Sequence, residues 1–133
     1  MSATIPDSHL DLLTTKVAFA HVATLMKDGS PQVTPVWVDW DGKHVILNSA
    51  KGRVKDKNLE ERKLVAIAVS DPQNPYRYLA IRGRVVEITE DGADAHIDKM
   101  AMKYMGKESY PYRTPTEVRR IYKIAPTSVS FYG

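Results

Sequence analysis

The strongest constraint on this chain is a pair of turn signals, Lys27-Asp28-Gly29-Ser30 and Asp41-Gly42, each set between runs of apolar and β-branched residues. Asp-Gly between two such runs favours a tight antiparallel hairpin, because glycine supplies the positive φ that the turn needs. The spacing predicts a strand over Val17–Met26, a return strand over Gln32–Trp40 and a third over His44–Asn48, the three lying side by side. Downstream, Leu64–Val69 is a short continuous apolar run, which predicts a buried strand. Tyr76–Ile88 predicts a long strand with a bulge or bend at Gly83. Val118–Ile124 and Ser128–Tyr132 predict two more strands, divided by Ala125-Pro126-Thr127. A short amphipathic turn or helix is expected around Leu10–Leu13, and helical segments over Arg53–Arg62 and where Ile97, Met100, Ala101, Tyr104 and Met105 repeat at helical spacing before Gly106. Six or seven mostly antiparallel strands with a few flanking helices predict a mainly β (α+β) fold, a small barrel with its helices packed outside.

No repeat or linker divides the 133 residues, so residues 1–133 are expected to form a single domain. The lack of cysteine removes disulfides, thiolate nucleophiles and cysteine-held zinc or iron–sulfur centres. His9, His21, His44 and His96 are too scattered to form a ligand pair, so no metal site is expected, and Asp94-Ala95-His96-Ile97-Asp98 reads as an exposed helix face. The first residues lack a basic, apolar leader, and no window approaches the roughly 20 apolar residues that cross a bilayer. A cytoplasmic protein with no membrane partner is expected. A net charge of +3 is mild for a nucleic-acid binder, and neither a recognition helix nor an aromatic RNA-binding motif is visible, so no nucleic-acid partner is expected. Hydrolase elbows, HExxH and Rossmann glycine patterns are missing too.

The charge is local. Lys51-Gly52-Arg53-Val54-Lys55-Asp56-Lys57 carries four cations against one carboxylate, directly after the strand end Asn48-Ser49 and at the start of a helix. Helix starts present free N–H groups and partial positive charge, which suits an anion such as phosphate. A solvated basic face is the other reading. Arg53 and Lys57 share one face of that helix and Lys51 and Lys55 another, so the four cannot all meet one phosphate. Pro35 lies within the return strand although it cannot donate to a ladder. Either the backbone of Thr34, Pro35 and Val36 faces a flat ring, bordered by Gln32 and Trp37, or the proline guards an edge strand. Pro75-Tyr76-Arg77-Tyr78 could close a ring-binding cleft, with Arg77 adding charge, or could simply pack. The aromatic loop Tyr104–Arg113 is open to the same two readings.

Taken in order, Ala23-Thr24-Leu25, Asp28-Gly29-Ser30-Pro31-Gln32, Pro35-Val36-Trp37, Asn48-Ser49, Gly52-Arg53-Val54-Lys55, Asn58-Leu59 and Asp71-Pro72-Gln73-Asn74-Pro75-Tyr76-Arg77-Tyr78 resemble the FMN-binding split-barrel superfamily of the pyridoxamine 5′-phosphate oxidases. The resemblance is nearest to its actinobacterial branch that uses coenzyme F420, a deazaflavin hydride carrier. It implies a six-stranded split barrel that forms a homodimer, with two cofactor clefts lined by both chains. It further implies that Ser49, Arg53, Lys55 and Asn58, with Asn48 and Lys51 beside them, hold the cofactor's phosphate and tail. By the same resemblance Gln32, Thr34, Pro35 and Val36 lie under the ring, and Tyr76 and Tyr78 reach in from the partner. The C-terminal Ser128–Gly133 lacks the arginine and histidine with which the oxidases hold substrate phosphate. The activity implied is hydride transfer from reduced F420 to an electron-poor conjugated small molecule, with no catalytic acid or base among the residues. FMN in the same fold, or a cofactor-binding protein without turnover, are the rival expectations.

Overall fold

The computed structural model describes residues 3–133. In it the first hairpin closes as its turn predicts: β1 (Ala20–Leu25) pairs antiparallel with β2 (Pro31–Val36), Ala20 opposite Val36 and Leu25 opposite Pro31. Asp28 accepts the Ser30 N–H at 2.9 Å and Gly29 takes a φ of +87°.

The second turn does not lay three strands side by side. After Val36 the chain leaves the ladder, and only β3 (Asp39–Trp40) pairs with β4 (Val45–Ala50) across Asp41-Gly42. The other strands are β5 (Leu64–Asp71), β6 (Asn74–Thr89) and β7 (Arg119–Tyr132), and the sheet order is β2-β1-β5-β6-β7-β4-β3, antiparallel throughout. The two edge strands, β2 and β3, are therefore joined by Trp37 and Val38 alone. Three Cα steps reach at most roughly 11 Å, so the seven-stranded sheet must roll until its ends approach. That rolled sheet is a split barrel.

Two further expectations change. The run over Leu64–Val69 is not buried on both faces: Val65, Ile67 and Val69 point into the core, while Leu64, Ala66 and Ala68 face outward and are exposed. The predicted break at Ala125-Pro126-Thr127 is absorbed into one strand, β7, with Pro126 opposite Gly83. The β6–β7 register shifts between Arg82 and Gly83, and a Cβ at Gly83 would sit 2.7 Å from Ile124 Cγ2 and 2.8 Å from the Ala125 carbonyl oxygen. Glycine permits the close approach, and the bulge needs no donor from proline. The turn or helix expected near Leu10 is a short 3₁₀ helix, Asp7–Leu12, which buries Leu12 and, just beyond it, Leu13.

The barrel interior holds Val22, Leu47, Leu59, Ile67, Leu79, Ile81, Tyr122 and Ile124. Each such aliphatic side chain contributes about 1.5–3 kcal/mol on burial. Helix α1 (Val54–Glu61) sits at one end of the barrel, giving Leu59 to the core. Helix α2 (Ala93–Met105) packs outside on β4 and β7 with Ile97, Met100 and Ala101 buried, and Gly106 ends it at a φ of +68°. No helix among the described residues is long and apolar enough to cross a membrane.

Candidate cofactor cleft

Alternation along β4 divides its side chains. Leu47 and Val45 point into the core, Ser49 follows them, and Asn48 points outward toward α2. On β7, Tyr122 faces the core while Arg119 stands on the outer face with Asn48, which accepts from Arg119 Nε at 2.9 Å. Where β4 and β7 meet the end of β2, the start of α1 and the loop after α2, a cleft of ≈ 260 Å³ opens.

One wall is aromatic. Trp37 stacks on Tyr104, with ring centroids 5.1 Å apart and planes 6° apart, and meets Tyr110 edge-on. The Tyr104 hydroxyl donates to the Ala18 carbonyl at 2.8 Å and accepts the Val38 N–H at 3.1 Å, which fixes the ring behind Trp37. Burial pushes that phenol above its ordinary pKa. Tyr110 is held by Asp98, which accepts its backbone N–H at 2.8 Å and an Arg113 N–H at 2.6 Å. The aromatic loop is thus pinned to α2, and Tyr110 and Tyr112 line the cleft.

The other wall is cationic. Arg53 precedes the first turn of α1 and reaches Glu117 at 3.3 Å, and Glu117 also accepts from Arg119 at 2.8 Å. Arg119 lies over the Tyr110 ring at 5.1 Å. Lys55 is buried, with Nζ 3.4 Å from Thr34 Oγ1. Burial, then the charges of Arg53 and Arg119, push its amine down to about 8. Arg53 and Arg119 thus share one carboxylate, Glu117, while Lys55 stands near both guanidinium groups without pairing to it. The start of α1 is fixed by Asp56, which accepts the Gly52 N–H at 2.8 Å, the Tyr122 hydroxyl at 2.5 Å and an Arg120 N–H at 3.1 Å. Burial opposes ionisation of Asp56, but these donors outweigh it and hold the carboxyl below its ordinary range.

Of the residues singled out in the sequence, Pro35, Val36, Asn48 and Arg53 line the cleft, whereas Lys55 and Thr34 meet each other beside it and do not line it. Gln32 and Asn58 lie in a separate chain, in which Thr24 donates to Gln32 at 3.3 Å and accepts from Asn58 at 3.0 Å. The Ser49 hydroxyl is buried without a partner on the interior face and does not line the cleft. Lys51 is exposed, so it is Arg53 and Arg119, not Lys51, that surround Lys55. Tyr76 and Tyr78 sit on the outward face of β6, where Tyr78 stacks on Tyr132, and neither lines this chain's cleft.

Two readings are corrected. Arg77 brings no free charge: it is bound to Asp11 at 2.6 Å, to Asp71 at 3.0 Å and to the Ser8 carbonyl at 2.6 Å, tying the 3₁₀ turn to β6. The stretch Asp94–Asp98 is not an exposed face, since Ile97 is buried and His96 is half-buried, 3.0 Å from Asp39. Arg119 was not singled out in the sequence. Its one signal was the pair Arg119-Arg120 at the head of an otherwise apolar strand.

An anionic, planar cofactor fits these residues: the aromatic wall offers a flat face, and the cations exceed the carboxylates beside it. A rolled antiparallel sheet with such a cleft at its edge defines the split-barrel class, whose members bind flavin-type cofactors. The family model described as pyridoxamine 5′-phosphate oxidase matches residues 6–133, and the chain belongs to that family. An F420 reductase is 34% identical, with a TM-score of 0.82 over 95% of this chain and 98% of that one. A putative pyridoxamine 5′-phosphate oxidase from Listeria innocua (17% identity, TM-score 0.69, 94% and 95% covered) and HupZ from Group A Streptococcus (23%, 0.68, 96% and 94%) share the fold. No curated protein matches the chain significantly.

Proposed function

We propose that this protein is an F420-dependent reductase, passing a hydride to an electron-poor conjugated small molecule. The observation that carries the reading is the excess of cations, Arg53, Lys55 and Arg119 against Glu117, beside a rigid aromatic wall. The similarity to an F420 reductase over nearly the whole of both chains supports it. When bound, the deazaflavin supplies the hydride from its central ring. The chain's own work is binding and orientation. Arg53 and Arg119 would pair with anionic oxygens, and charge-assisted bonds of this kind are roughly twice as strong as neutral ones. Lys55, shielded from water, adds charge close to Thr34 on β2. Trp37, locked by Tyr104, would bound the ring side and keep water from it, so that donor and acceptor are held at reacting distance. The site residues carried by the resemblance, Tyr76 and Tyr78 included, belong to this proposal.

The reading includes a homodimer. Its support is the outward face of β1, β5 and β6, where Ala23, Ala66, Ala68 and Ala80 form a shallow apolar groove of ≈ 510 Å³ together with Val33 and Ser130. Small apolar side chains on an uncovered sheet face allow close approach of a second copy.

Titration of the purified chain with F420 and with FMN tests the cofactor, the expected result being tighter binding of F420. Rapid mixing with reduced F420 and a panel of quinones, unsaturated esters and lactones then tests turnover. Binding without oxidation of the carrier by any acceptor would make the protein a cofactor store, and preference for FMN would replace the deazaflavin.

A further inference from the structure

The cations of the cleft do not stand alone. A hydrogen-bonded chain runs from them across the outer face of the barrel to β3. Arg119 Nε donates to Asn48 Oδ1 at 2.9 Å; Asn48 Nδ2 donates to the Ala93 carbonyl at 2.9 Å and lies 3.1 Å from His96 Nδ1; His96 Nε2 lies 3.0 Å from Asp39 Oδ2. The direction of every bond follows from its ends. Arg119 Nε can only donate and the Ala93 carbonyl can only accept, so the Asn48 amide has one orientation. Its N–H then points at His96 Nδ1, which must be the bare, accepting nitrogen, and the imidazole proton sits on Nε2 and is given to Asp39. The chain is complete only with a neutral His96.

We infer that His96 is a positioning residue for the cofactor cleft: its neutral ring holds Asn48, Asn48 holds the Nε side of the Arg119 guanidinium, and protonation of His96 costs Arg119 that bond and leaves it the Glu117 pair alone to set its orientation. A second proton at Nδ1 would face the Asn48 amide donor. Were the amide to turn, its Oδ1 would serve His96 while its N–H₂ met Arg119 Nε, donor against donor, and the Ala93 bond would be lost. Turning the amide breaks the Asn48–Arg119 bond, and leaving it in place sets two donors against each other at His96. The groups around His96 set the balance. Asp39 from β3 favours the charged ring, but Lys99 from α2 already binds Asp39 Oδ2 at 3.2 Å, Lys103 from α2 reaches the adjoining Val38 carbonyl at 3.3 Å, and Arg119 from β7 adds positive charge beyond Asn48. Protonation would therefore leave a donor facing a donor at one end of Asn48 or the other, and every bond of the chain is satisfied only with the neutral ring. Cofactor binding should thus weaken when His96 takes up its second proton.

The inference rests on the reading of the cleft as an anion-holding cofactor site, and its test is built to separate the two. NMR of the cofactor-free protein at pH 7.5 should show His96 as the Nε2–H tautomer. The Arg119 Nε–H resonance should be protected from exchange at pH 7.5, and its protection, taken relative to the base-catalysed intrinsic rate at each pH, should be lost at pH 5.5. In H96Q, whose amide offers one donor and one acceptor but does not titrate, that resonance should persist at both pH values. F420 titrations of the same proteins should show wild-type Kd rising at least fivefold from pH 7.5 to 5.5. H96A should be weakened about tenfold at both, and H96Q should recover most of that loss and follow pH less than twofold. A wild-type profile as flat as that of H96Q, or an Arg119 resonance indifferent to His96, would overturn the inference even if F420 binds. If F420 does not bind at any pH, the cofactor reading fails, and the Arg119 resonance decides the positioning role by itself.

Discussion

Lys55 is the side chain on which stability and binding pull in opposite directions. Its amine is buried beside two guanidinium groups with no carboxylate of its own, and it loses its proton at about 8 in the folded chain against 10.5 in the unfolded one. Between those values the unfolded chain binds more protons, so stability should rise with pH over that interval, and at pH 7 the folded state bears the full cost of the buried charge. Lys55→Met, similar in length and uncharged, should therefore raise stability at pH 7 by about 1–3 kcal/mol while weakening F420 binding. Urea denaturation of the two proteins at pH 7 measures it, and a less stable variant would contradict the assignment. Wild-type affinity for F420 should also fall as pH rises through about 8, as the amine discharges, which titrations between pH 7 and 9.5 would register. At this scale the sequence is only partly legible. The cations of Lys51–Lys57 pointed to an anion at the start of α1, and of these Arg53 and Lys55 do come near each other there, with Lys55 against Thr34 of β2. Arg119 and His96 could not be read there, because what places them is strand pairing and helix packing between segments far apart in the chain.

At the scale of elements, the bend of β6 over β7 turns on Gly83. Gly83→Ala would place a methyl group against Ile124 and the Ala125 carbonyl, both closer than carbon contacts allow, and should cost about 1–3 kcal/mol as overpacking. Thermal and urea unfolding that match wild type would show that the bulge does not depend on glycine. The turns, the long strand with its central glycine and the capped helix α2 were all visible in local patterns, since φ preferences and periodicity act over a few residues. The position of β2 was not. Asp41-Gly42 does make a hairpin, but its first arm is only Asp39–Trp40, and nothing local reveals that the chain between Val36 and Asp39 crosses from one edge of the sheet to the other. Likewise Leu64–Val69 reads as doubly buried because alanine is apolar, whether or not anything covers it.

At the scale of the molecule, the uncovered alanines of β1, β5 and β6 lead to the proposed dimer. Ala68→Glu would put a charge at the centre of that face without touching the core. Light scattering should find a dimer for wild type and a folded monomer for the variant, whereas a wild-type monomer would remove the second chain from the cleft and with it the roles of Tyr76 and Tyr78. The central claim, that the cleft grips an anionic deazaflavin with its cations, meets its most direct test in Arg53. This side chain is half exposed and its pair with Glu117 is at the surface, so its removal should leave stability within about 0.5 kcal/mol of wild type. Fluorescence titration with F420 at pH 7.5 should find saturable binding to wild type and a loss of about tenfold, about 1.4 kcal/mol, in Arg53→Ala. Equal affinity in the two proteins, or no saturable binding to wild type, would contradict the account.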